Sequence, residues 1–220
     1  MIRDQVCKKK SKGDLYIMSE QIQTQLTRIK DKLVQLRIQD TAFQVFGAFH
    51  HQYRLNPVRT EAEITAFEQQ HQLVLPADYR AFLVHIADGG AGPYYGLEKL
   101  TDGIYESLDD KNEEFGLINL SADFRFTEPW NLLPSGEELE DEIDEEAMYD
   151  AKWADGMLRI SNYGCGVSIN LIVQGNSYGE IWVDDRFNDG GIYPDHYFDN
   201  PHRLHFLDWY ELWLDQSLQK

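Results

Sequence analysis

Residues 161–185 read SNYGCGVSINLIVQGNSYGEIWVDD. Two readings compete for this stretch. Either Cys165, set between two glycines, is a nucleophile on a strained turn, or the segment is a β-hairpin with a cysteine at its edge. A nucleophilic cysteine needs a base to make thiolate and a sharp strand-to-helix turn to present it. Here a strand pattern follows the cysteine: Ile169, Leu171 and Val173 alternate with Asn170 and Ile172, and no histidine is near in sequence. QGNSYG then supplies Gly175, Asn176 and Gly179, which tolerate positive φ, and Ile181 and Val183 flank Trp182 on the far side. The hairpin reading is simpler. Cys165 is expected as a small, buried structural residue at the start of a strand.

Working outward, MLRIS just upstream reads as another strand. Further back the texture is helical. Ser19 can cap a helix to about Ile38, with Ile22, Leu26, Ile29, Leu33 and Leu36 recurring on one face. Residues 41–55 are aromatic-rich and show no clear period. Thr60 and Glu63 form a capping box, in which each side chain satisfies an amide of the helix start. Ile64 and Phe67 continue that helix. Pro76 fits the first turn of the next, whose buried side is Tyr79, Phe82, Leu83 and Ile86 and whose stop is Asp88-Gly89-Gly90. Downstream of the hairpin, Asn200-Pro201 is read as the start of a last helix, with Leu204, Leu207, Tyr210 and Leu214 on one side and Trp209 and Trp213 in the core. Helices, then strands, then a helix make an α+β fold, helices packed on a mainly antiparallel twisted sheet, with an N-terminal helical extension.

The 220 residues, 42% hydrophobic and 13% aromatic, suffice for one substantial core. No apolar run approaches the roughly eighteen residues of a membrane helix, and no signal-type stretch opens the sequence. With two cysteines, Cys7 and Cys165, reduced thiols and a cytoplasmic location are the expectation. The formal charge of −18 repels nucleic acid and anionic membranes and favours basic partners. Residues 137–146, EELEDEIDEE, hold eight acids and no base, and are expected as an exposed helix continuing through Trp153. The first 18 residues are basic instead and read as a tail.

The remaining catalytic readings are weak. His196, His202 and His205 lie close together with Asp195 and Asp199, yet two histidines three apart on a helix are no tight ligand set. Adjacent side chains diverge at His50-His51. DGGAGP lacks the lysine and following helix of a phosphate loop. Carboxylates are too plentiful for any pair to stand out as acid and base. No catalytic, metal or cofactor residue is assigned.

With these pieces placed, the chain resembles the SUKH superfamily, in the branch related to the fungal Smi/Knr cell-wall regulators. TEAEITAFEQQHQLVLPADYRAFLVHIADGGAGPYYGL is similar to that family's opening pair of helices around an LP-x-D-Y joint. ISNYGCGVSINLIVQGNSYGEIWVDD is similar to its central hairpin, with the G-x-[IV]-W exit, and HFLDWYELWLDQSL to its closing helix. The resemblance spans residues 57–218, leaving a helical extension over 19–56 and the tail over 1–18. It implies a binding protein: bacterial members act as immunity proteins that neutralise toxin domains, many of them nucleases, and the fungal branch acts as a regulatory scaffold. The expected partner is a basic toxin domain. For the surface that meets it, the sequence nominates the acids Glu137, Glu138, Glu140, Asp141 and Glu142, the pair Asp184-Asp185, and the aromatic anchors Tyr94, Tyr95 and Trp182.

Overall fold

The computed structural model of the protein describes residues 18–105, 117–131, 150–196 and 200–219. The basic tail and the acidic stretch 137–146 lie outside the described residues. Ser19 Oγ accepts the Ile22 N–H at 3.2 Å, so α1 (Glu20–Gln39) starts at its expected cap. Its stripe Leu26, Ile29, Leu33 and Leu36 is buried. A single turn, α2 (Ala48–His51), follows. α3 (Glu61–Gln70) opens on the complete Thr60/Glu63 capping box, and α4 (Ala77–His85) follows Pro76. The chain closes with α5 (Phe206–Leu218).

Between α4 and α5 lies the sheet: β1 (Met157–Gly164), β2 (Val167–Ile172), β3 (Ile181–Asp185) and β4 (Gly191–Pro194). All three pairings are antiparallel and the strand order is sequential. Leu97 bridges Ser161 beyond β1, and Trp130 bridges Ile192 beyond β4, so short segments cover both edges. Ile169, Leu171, Ile181 and Val183 are buried as expected, but so are Asn170, Ile172 and Trp182 between them, so both faces of these strands are covered rather than one.

α1 and α5 lie side by side. Their apolar stripes meet in the core, and a polar clasp runs along the seam. Arg28 donates twice to the Glu211 carboxylate, at 2.8 and 2.7 Å, and Lys32 adds a third bond at 2.8 Å. Burial of Glu211 favours its neutral form, but the hydrogen bonds from Arg28 and Lys32 outweigh it and hold the carboxyl at about 2. The N-terminal extension is thus bound into the same core as the sheet.

Three sequence expectations shift. α4 ends at His85, before the glycines; Asp88 is instead buried, accepting from the Leu100 amide and from Arg59, each at 2.8 Å. α5 begins at Phe206 with His205 as its cap, because Ile181 N–H bonds Leu204 O and Glu180 bridges His205. That pairing keeps the residues after Pro201 out of the helix. Trp153, expected at the end of a long helix, sits in a 3-10 turn, Ala151–Ala154, with its ring 4.3 Å from that of Trp130.

Candidate partner-binding surface

β1 runs on to Gly164 through register shifts at Arg159/Ser161 and Asn162/Gly164, and Gly164 pairs with Val167. Only Cys165 and Gly166 are left to turn the chain. Both have positive φ, 51° and 81°, the combination that a two-residue hairpin turn following the strand twist requires. Cys165 therefore marks the tip of a hairpin and is exposed, whereas a buried place was expected. Asn188 Nδ2 donates to its carbonyl at 2.9 Å, tying this tip to the β3–β4 connection at the same end of the sheet.

Aromatic rings gather around this tip. A Cβ at Gly164 would sit 2.9 Å from the Tyr95 ring, and one at Gly166 would sit 2.7 Å from the Phe187 ring. Glycine at both places lets rings lie directly on the turn. Phe46 stands 5.3 Å from Tyr95 and 5.8 Å from Tyr163, and His50 meets Tyr95 edge-on at 4.6 Å. Phe49 continues the cluster beside His50 at 6.3 Å. These rings remain accessible: Phe49 by 74%, Phe187 by 68%, Tyr163 by 48% and Phe46 by 47%. Scattered exposed hydrophobics are ordinary, but a contiguous group of rings marks a surface that meets something else.

Strained backbone presents this group. Positive φ at non-glycine residues recurs at Gln52 and Tyr53 directly after α2, at Tyr94 beside Tyr95, at Cys165 and at Asp189 in the β3–β4 connection. Each costs about 1–2 kcal/mol relative to ordinary helix or strand values, and such strain persists where surrounding contacts over-determine it. Those contacts are visible. Under the rings, Tyr94 OH and Trp209 Nε1 both donate to buried Asp195, at 3.0 and 2.7 Å. His51 Nδ1 accepts the Tyr53 amide at 3.1 Å; burial, with the neighbouring charge of His50, presses this imidazole down to about 4 and keeps it neutral.

The nominated residues divide. Glu137, Glu138, Glu140, Asp141 and Glu142 lie outside the described residues. Trp182 is corrected: it has 0% exposure and packs on Phe124 at 4.9 Å, so it is core. Tyr94 is likewise buried, its ring under Tyr163 at 4.9 Å, and supports the surface from below. Asp184 is buried and neutralised by a two-pronged contact with Arg186, at 2.9 and 2.7 Å. Tyr95 and Asp185 remain accessible, and the geometry brings Tyr95 together with Phe46, Phe49 and Tyr163, which the sequence reading missed. The aromatic excess in residues 41–55 was the signal available for two of them.

This surface has the means to bind by apolar contact. Full burial of an aromatic side chain covers about 150–250 Å², and roughly half to three quarters of that is still open on these rings. Among the described residues, no three His, Cys, Asp or Glu side chains are grouped to hold a metal ion; His196 Nδ1 faces the Asn200 carbonyl at 3.1 Å, and His205 caps α5. No helix among the described residues is long and apolar enough to cross a membrane. Comparison with known proteins gives one match: the description SMI1 / KNR4 family (SUKH-1) fits residues 59–204, a span that leaves out α1, α2 and α5. Searches of curated proteins and of solved structures each found no match.

Proposed function

Because the chain belongs to the SMI1 / KNR4 family (SUKH-1), we propose that it is a non-enzymatic immunity protein, which neutralises a cognate toxin domain in the cytoplasm by covering the toxin's active site. The single observation carrying this reading is the exposed ring cluster at the β1–β2 tip, held on strained backbone. Phe46, Phe49, Tyr95 and Tyr163 act as anchors, since rings in the centre of an interface supply much of its energy. The functional unit spans residues 19–218, because the extension contributes Phe46 and Phe49. A nuclease-type toxin must attract phosphate and lines its site with Lys and Arg. A chain carrying −18 complements that charge, with Asp185 near the rings and Glu137, Glu138, Glu140, Asp141 and Glu142 steering the approach.

The test is stopped-flow association with the toxin domain encoded beside this gene, across a salt series, together with survival of cells expressing both. Fast association that slows with salt is expected, because screening shortens the field to about 8 Å at physiological ionic strength. Absence of binding and of protection by the intact protein sinks the immunity reading.

A further inference from the structure

A second surface carries the opposite charge. Between the outer face of α1, residues 53–55 and the end of α4 lies a groove of about 250 Å³, floored by buried Tyr53 and lipped by Lys30, Val34, Arg37, Leu55 and His85. No acidic side chain lines it. Its apolar lips are open to solvent: Val34 is 60% exposed and Leu55 40%, and Ile38, one turn beyond Val34 on α1, is 73% exposed.

The cations are the informative part. In this acidic chain most described Lys and Arg side chains are spent on carboxylates. Among the described residues, those without a carboxylate partner are Lys30, Arg37, Arg54 and Lys99. Lys30 and Arg37 line the groove, whereas Arg54 lies outside it with its guanidinium on Gln52 Oε1 at 2.7 Å. Unpaired positive charge and exposed aliphatic side chains thus coincide, on a molecule whose charge elsewhere is negative.

We propose that this groove docks an acidic amphipathic helix from a second protein. Apolar residues spaced one turn apart would lie against Val34, Ile38 and Leu55, with carboxylates set on Lys30 and Arg37; this is helix-in-groove recognition. The volume argues for a side-chain anchor, since small-molecule sites run to roughly 300–1,000 Å³. Charge argues against a second copy of this chain. A two-fold interface sets a patch against itself, and would bring Lys30 and Arg37 against their own counterparts. The surface is separate from the ring cluster, and the proposal does not rest on toxin binding.

The experiment is fluorescence anisotropy with two labelled helical peptides, one carrying leucine and glutamate at helical spacing and one with lysine in place of each glutamate. The acidic peptide is expected to bind, to weaken as salt rises, and to weaken at least about tenfold in the K30E/R37E double variant. The Phe49→Ala variant should bind it unchanged. Lys30 and Arg37 are exposed, so the double variant should keep its melting midpoint. Failure of the acidic peptide to bind, equal binding of both peptides, or an unaltered double variant overturns the proposal. So does a dimer seen by sedimentation velocity that the double variant abolishes, since the groove would then belong to a second copy.

Discussion

The protein uses aromatic residues in two ways, in regions that share a boundary. In the core, Trp182, Trp209, Tyr210 and Trp213 have no accessible surface, and their neighbours are fixed. Tyr210 OH donates to the Ala91 carbonyl at 2.7 Å, and Trp209 Nε1 donates to Asp195. At the β1–β2 tip, Phe46, Phe49, Tyr163 and Phe187 are open. Tyr94 lies on the boundary, with its ring under Tyr163 and its hydroxyl on the same Asp195. Residue type does not separate the two regions; backbone does. Trp182 stands on β3 and the other three buried rings on α5, whereas the exposed rings flank chain reversals: Phe46 precedes Gly47, Phe49 lies in single-turn α2, Tyr163 is two residues before Cys165, and Phe187 lies in the β3–β4 connection. The core stabilises the fold, and part of that stability is spent on a rigid, outward-facing group.

The largest effects should fall on the core side. Trp209→Ala or Trp213→Ala is expected to destabilise by about 3–5 kcal/mol in chemical denaturation, with Trp209 at the upper end because its loss also removes a donor from Asp195. A near-neutral result would erase the distinction between the regions. Next comes the boundary. A Cβ at Gly47 would lie 1.5 Å from the Tyr94 carbonyl oxygen, and Gly47 has φ of 78°. Gly47→Ala should therefore cost about 2–3 kcal/mol and weaken partner binding together. If stability falls while binding holds, α2 is not part of the binding surface. On the exposed side the two quantities should come apart. Phe49→Ala or Tyr163→Ala should change stability by no more than about 0.5 kcal/mol, yet weaken partner binding at least about tenfold, or 1.4 kcal/mol. Calorimetric titration against the partner checks this.

Acid should separate the regions by pH. His51 has a folded value of about 4 against 6.5 ordinarily. Its charged form therefore favours the unfolded chain, and stability should decline as pH falls from 6.5 to 4, then level off. Glu211 has a folded value of about 2 against 4.5. Its contribution is present above 4.5 and lost as pH falls towards 2. His51→Phe should flatten the upper window and Glu211→Gln the lower one; a stability curve with one window unchanged in both variants contradicts the assignment. The smallest effect is at the tip. Cys165→Asn should raise stability by about 0.5–1 kcal/mol, since asparagine accepts the left-handed conformation better and Asn-Gly suits this turn. Binding should stay within about tenfold. Complete loss of activity in that folded variant would return Cys165 to consideration as a reactive thiol.

Much of the fold is legible where local chemistry decides it. Ser19, the Thr60/Glu63 box, the α1 stripe and the β2–β3 hairpin each report a nearby hydrogen bond, a fixed period or a glycine turn. What escapes reading is set by distant chain. Residues after Pro201 look helical, but Ile181 and Glu180 hold Leu204 and His205 extended. Trp182 looks like the outer face of a half-buried strand; Phe124, in a segment with no period, covers it. The candidate surface is least legible of all. α2 is one turn, bounded by Gly47 and Gln52 in left-handed conformations, and no periodicity survives in four residues. Tyr163 and Phe187 join Phe46 only through the sheet's connectivity.

The clasp between α1 and α5 also has a meaning in time. Gln25 and Arg28 find their partners 183 residues downstream, and Lys32 finds its partner 179 residues downstream. A chain is made from its N-terminus, at about 5–20 residues per second, so α1 waits roughly 10–40 s for α5 to be synthesised. Through that interval Leu26, Ile29, Leu33 and Leu36 lack the cover that α5 gives them. α1 precedes α5 in synthesis yet is seated only with it, and a nascent chain halted before Phe206 leaves that stripe open to chaperones or to other nascent chains.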